Sequence, residues 1–67
     1  MDQIAELLEG YIGERINIYV MGSYSSAVGG RISRVSEQYV ELDQEESLLA
    51  YIPIERIVFF TIQKHDK

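Results

Sequence analysis

The sequence predicts a mainly β protein in which a short N-terminal helix is followed by five short strands, strongly bent into a small barrel. Three observations carry this. Apolar residues alternate with others along residues 15–21 and again between residues 28 and 42, the two-residue period of half-buried strands. The adjacent Gly29 and Gly30 fall inside the second alternating run, where the loss of two side chains lets a strand bend sharply enough to serve two sheets. With 67 residues the chain has room for one domain, and a bent central strand is how so short a chain closes around a core.

A helix is expected over about residues 2–9. Asp2 caps it, Ile4, Leu7, Leu8 and Tyr11 fall at helical spacing, Gln3, Glu6 and Glu9 face water, and Gly10 stops it. So short a helix is unstable alone and has to lie on the sheet. After Gly13 comes the first strand, about residues 15–21, where Ile16, Ile18 and Val20 alternate with Asn17, Tyr19 and Met21. The following GSYSSA is a turn by composition, with Ser23, Ser25 and Ser26 around an exposed Tyr24.

The bent second strand spans about residues 28–35 with Ile32 and Val35 inward, and Ser36, Glu37 and Gln38 turn it into a third, about 39–43, carrying Val40 and Leu42 inward. The run DQEE at residues 43–46 reads as a solvated hairpin tip. Strand four, about 48–52, is apolar on both faces, with Leu48, Ala50 and Ile52 on one and Leu49 and Tyr51 on the other. Pro53 ends it because proline cannot donate to a ladder, and residues 53–56 suit one tight helical turn that brings Ile54 and Ile57 to the same side. Strand five, about 57–62, is again apolar on both faces, Ile57, Phe59 and Thr61 against Val58, Phe60 and Ile62. The KHDK tail is expected to fray.

Composition narrows the function. Eleven acids against 6 bases leave a net charge of -5, a field that repels phosphate backbones, so nucleic-acid binding would need a local basic patch. There is no cysteine and a single histidine, His65, which excludes disulfides and argues against a protein-only zinc site. The start MDQIAELLEG has neither a basic leader region nor a long apolar run, so a cytoplasmic protein without membrane association is expected. A hydrophobic share of 46% is high for so small a chain and calls for a cover, of which self-association is the simplest.

No enzyme is expected. His65 stands in a charged tail, and Ser23, Ser25 and Ser26 are turn formers rather than nucleophiles. Asp43, Glu45 and Glu46 lack the spacing and central glycine of a calcium loop. Gly29 and Gly30 lack the further glycines, or the lysine, leading into a helix that a phosphate loop requires. No catalytic, cofactor or metal residue is therefore assigned. Arg31 and Arg34, with Arg15 nearby, are the best basic group, but three residues apart on a regular strand they face opposite sides, and their ordinary role is pairing with surface acids. The aromatic residues are the stronger signal: Tyr19, Tyr24, Tyr51 and one of Phe59 or Phe60 exceed what a small core can hide, and such residues are enriched in protein interfaces.

The element order, with GERINIYVMG as first strand, GGRISRVSEQYVEL as the bent pair and YIPIERIVFF as the corner and last strand, resembles the Sm-like fold, including the bacterial Hfq proteins. The resemblance spans nearly all of the chain and lies in patterning; other SH3-like barrels read similarly. It implies a ring in which strand four of one subunit lies beside strand five of the next, with about five to seven subunits. Sm proteins that hold uridine tracts use an Asp and an Asn in the turn where this chain has Ser36, Glu37 and Gln38. They use a basic residue and glycine, or in Hfq a Lys-His pair, where this chain has Tyr51 and Ile52. Tyr39 or Tyr51 remains to stack on a base. The expected function is a non-catalytic module for binding or scaffolding that assembles with itself through Leu49, Tyr51, Val58 and Phe60, with alternation alone leaving open whether Val58 and Phe60, or Ile57 and Phe59, face the neighbour. The alternative is an RNA-binding Sm-like protein with a diverged site, in which Arg31, Arg34, Tyr39 and Tyr51 are the candidate contacts.

Overall fold

A computed structural model describes residues 3–22 and 27–63. Asp2, the serines at 23, 25 and 26, Tyr24 and the tail with His65 lie outside the described residues. The chain is mainly β: helix α1 (Gln3–Glu9) precedes strands β1 (Arg15–Val20), β2 (Val28–Val35), β3 (Tyr39–Gln44) and β4 (Leu48–Pro53), then a single 3-10 turn, η1 (Ile54–Arg56), and β5 (Ile57–Ile62). The strands form one antiparallel sheet in the order β4-β3-β2-β1-β5, so β4 and β5 are its two edges and the sheet is not closed.

The connection between those edges requires the sheet to curl. Laid flat, four strand spacings would separate them by about 19 Å. The three residues of η1 rise only about 6 Å. Only a strongly curved sheet brings the end of β4 that close to the start of β5. Curvature also places side chains from every strand in one core: Ile16, Ile18, Ile32, Val40, Leu42, Ile52, Ile54 and Ile57 are buried together with Ala5 and Leu8 of the helix. As expected, Ile54 and Ile57 share that side. Backbone bonds anchor the corner, from the Ile54 N–H to the Gln38 carbonyl and from the Met21 N–H to the Arg56 carbonyl, each 2.9 Å.

The helix differs from its periodic reading in one respect. Leu7 is 52% exposed and Ala5 takes the core position beside Leu8, with Ile4 and Tyr11 packed at the margin. A seven-residue helix lying on a curved surface presents a narrow buried stripe, and a small residue can occupy it as well as a large one.

The glycine pair sits where the sheet is tightest. A Cβ at Gly30 would lie 3.1 Å from Leu42 Cβ, 3.2 Å from the Asp43 carbonyl oxygen and 3.3 Å from Gln44 Cγ. The Gln44 amide uses the space, its Nε2 donating to the Gly29 carbonyl at 2.9 Å.

At the β3–β4 tip, Glu46 and Ser47 have φ of 63 and 65, the left-handed region in which a side chain costs about 1 kcal/mol. Ser47→Gly is therefore expected to stabilise the domain by about 0.5–1 kcal/mol, roughly 3–6 °C in the thermal midpoint. A calorimetric midpoint that stays level or falls would show that the tip does not hold this conformation in solution.

Candidate functional site

Two β-bulges decide which side chains meet on the outer face of the sheet. In β2 the register passes from Ile32↔Leu42 to Arg34↔Glu41, leaving Ser33 as an extra residue. Each bulge reverses the alternation beyond it. Arg31 and Arg34, expected on opposite sides of a regular strand, thus both face outward, Arg31 opposite Asp43 and Arg34 opposite Glu41. Arg31 also faces Arg15 across β1 and donates through Nη1 to the Gly13 carbonyl at 3.0 Å.

The outer face of β3 and β4 carries the most developed cluster. Arg34, Glu41 and Tyr51 form one row across β2, β3 and β4, and Tyr39 and Pro53 form the next. The Tyr39 and Tyr51 rings meet edge to face, 5.4 Å apart at 82°. They and Gln38 and Pro53 line a shallow cleft of about 470 Å³. A second hollow of about 450 Å³ adjoins it across the shared Gln38 and Pro53, lined by Glu37, Ile54 and Glu55. Glu41 holds the cluster in place: Ser33 Oγ donates to its carboxylate at 2.9 Å, and the Tyr51 hydroxyl is hydrogen-bonded to the same side chain. Of the candidate nucleic-acid contacts, Arg34, Tyr39 and Tyr51 come together, and Arg31 stands apart beside Arg15. The acid at the centre of the group, Glu41, is what the sequence reading lacked, because the cross-strand pairing that sets it beside Tyr51 has no local signature.

The Tyr51 hydroxyl is held above its ordinary value of 10.0, first by lost hydration, then by the Glu41 charge and hydrogen bond, with Tyr39 adding and Arg34 opposing. A raised value means that Tyr51 leaves stability untouched below pH 10.0 and that stability falls as pH rises through the folded-state value. Glu41→Gln is expected to shift the Tyr51 titration downward, read from its ring resonances by NMR. A titration unmoved by this substitution would separate Tyr51 from Glu41 in solution.

The second bulge lies in β5. Tyr19 pairs with Phe59 and the adjacent Val20 with Ile57, so Val58 is the extra residue. The strict alternation expected of strand five is overturned: Ile57 and Phe60 turn inward, Phe60 opposite the buried Ile18, and Val58 and Phe59 are both exposed. Phe59 stacks on Tyr19 with centroids 4.3 Å apart and planes at 10°. Of the candidate interface residues, Leu49, Tyr51 and Val58 are exposed, whereas Phe60 packs partly against the core. Leu48 and Phe59, outside that candidate set, are exposed at the two edges as well.

Among the described residues no group of His, Cys, Asp and Glu side chains is placed to hold a metal ion, and no helix is long and apolar enough to cross a membrane. Compared with known protein families, curated proteins and solved structures, the chain matches none.

Proposed function

We propose that this protein is a non-catalytic Sm-like module that assembles with itself into a closed ring through β4 and β5 and serves as a binding or scaffold element. One observation carries the reading. Of the eight large apolar side chains exposed among the described residues, Leu48, Leu49 and Tyr51 lie on β4 and Val58 and Phe59 on β5, the two edges of the sheet. An edge strand offers a row of backbone donors and acceptors to another strand, and apolar side chains at an edge gain by leaving water. Because the two edges differ, β4 of one copy against β5 of the next is a head-to-tail contact that closes into a ring when the rotation allows. The strand order and the one-turn corner support the Sm-like assignment. A cytoplasmic setting belongs to the same reading, since small secreted domains commonly rely on disulfides and this chain has no cysteine.

A second reading, an RNA-binding Sm-like protein with a diverged site, draws on the grouping of Arg34, Tyr39 and Tyr51. Glu41 in their midst and a net charge of -5 weigh against it. Light scattering at micromolar concentration tests the proposal. A discrete multimer is expected, and a monomer would overturn it. Tight, sequence-selective binding of U-rich RNA at physiological salt would favour the second reading.

A further inference from the structure

We infer that the Tyr39–Tyr51 cleft with its adjoining acidic hollow is a docking site for a basic side chain, lysine or arginine, presented by a polypeptide partner. The cleft offers two tyrosine rings set nearly perpendicular, at 82°, with Pro53 beside them. The hollow on the far side of Gln38 and Pro53 carries Glu37 and Glu55. An apolar surface followed by carboxylates matches the order of a basic side chain, whose methylene stem packs on rings and whose charged head seeks anions. A compact ammonium ion would fill only one of the two hollows.

Charge complementarity favours the same occupant. Glu37 and Glu55 line the adjoining hollow, Glu41 stands beside Tyr51 in the cross-strand row, and the chain as a whole carries -5. Arg34 is the one cation in the cluster, separated from Tyr51 by Glu41 in the cross-strand row. The cleft is also built before any ligand arrives. Glu41 takes hydrogen bonds from Ser33 and Tyr51, which fixes the Tyr51 ring at its polar end and lowers the ordering cost of binding. The site lies on the outer face of the sheet and needs no catalytic group.

The test is an NMR titration of the labelled full chain with four short probes: a capped peptide bearing one arginine, the same peptide with citrulline, free choline and a uridine oligomer. Saturable shifts at Gln38, Tyr39, Tyr51 and Glu55 are expected with the arginine peptide, at least fivefold weaker with citrulline. Tyr51→Ala and the double variant Glu37→Gln/Glu55→Gln should each weaken arginine binding at least fivefold while keeping a folded spectrum. Equal binding of the citrulline peptide would reduce the cleft to an apolar contact and overturn the proposal. Choline binding as tight as the arginine peptide would reassign the site to a small cation, and shifts produced by the oligomer alone would reassign it to nucleic acid. Tyr51 is also one of the β4-edge side chains on which the ring reading rests, so the titration is run on the wild type and on Phe59→Asp with each sample sized: binding by both keeps the two readings apart, whereas binding by the non-assembling variant alone would place the cleft inside the ring contact and overturn a docking site for a partner.

Discussion

A Gly30→Val protein is expected to melt roughly 5–20 °C below the wild type, a loss of about 1–3 kcal/mol. The first added carbon already meets Leu42 Cβ at 3.1 Å and the Asp43 carbonyl oxygen at 3.2 Å, and valine adds two methyl groups beyond it. Neither neighbour yields easily. Leu42 is fully buried, and Asp43 is held in the β2–β3 ladder opposite Arg31. The branched side chain would also displace the Gln44 amide from the Gly29 carbonyl. Gly29→Ala is the matching control. Its Cβ would come within 2.7 Å of Asn17 Oδ1, but that atom is the end of an exposed side chain and can swing away. Calorimetry should rank Gly30→Val well below Gly29→Ala. Equal midpoints would mean that the sheet is not tightened at Gly30.

The larger effect belongs to the two phenylalanines. Phe60→Asp is expected to unfold the domain, and Phe59→Asp to leave a folded protein that no longer assembles. Phe60 packs against the core opposite the fully buried Ile18, so aspartate there removes an aromatic contact and puts a carboxylate among isoleucines, a cost of about 3–5 kcal/mol or more. A 67-residue domain has roughly 3–10 kcal/mol to lose. Phe59 is 51% exposed and its main contact is the stack on Tyr19, worth about 0.5–1.5 kcal/mol. At the β5 edge a charge in its place repels an apolar β4 edge without touching the core. Circular dichroism and light scattering on the two variants read fold and size separately. Were Phe59→Asp to remain multimeric, assembly through this face of β5 would be excluded; were Phe60→Asp to stay folded, the inward placement of its ring would be wrong.

How much of this was legible in the sequence follows from what leaves a local trace. The helix, the five strands and the corner at Pro53 could be placed because each has a period or a punctuating residue, and Ile16, Ile18, Ile32, Val40, Leu42 and Ile52 all lie buried as alternation indicated. The bulge in β5 leaves no such trace, and the one in β2 leaves only a single sign. Ser33 and Val58 are ordinary strand residues, yet each inserts one position and reverses every face beyond it. That is why Arg34 joins Arg31 on the outer face and why Phe59, rather than Phe60, meets water. The three-residue gap between Ile32 and Val35, both inward, was the one visible sign of the first bulge. The Tyr39–Glu41–Tyr51 cluster depends on β3–β4 register, a long-range property that residue types alone do not specify.

The position of β1 between β2 and β5 also orders events during synthesis. Its partners on one side, the first half of β2, follow within about 10–16 residues, as Ile18 with Val28 and Arg15 with Arg31, but those on the other come about 40 residues later, Tyr19 with Phe59 and Asn17 with Thr61. Pairing so distant pays the loop-closure entropy of about 40 residues before any ladder bond forms. Until residues 57–62 have left the ribosome, the β1 edge that carries Ile16 and Ile18 has no partner strand within its own chain. An unpaired edge of this kind invites pairing with another chain, so prompt docking of β5 shortens the interval in which the unfinished polypeptide is open to aggregation.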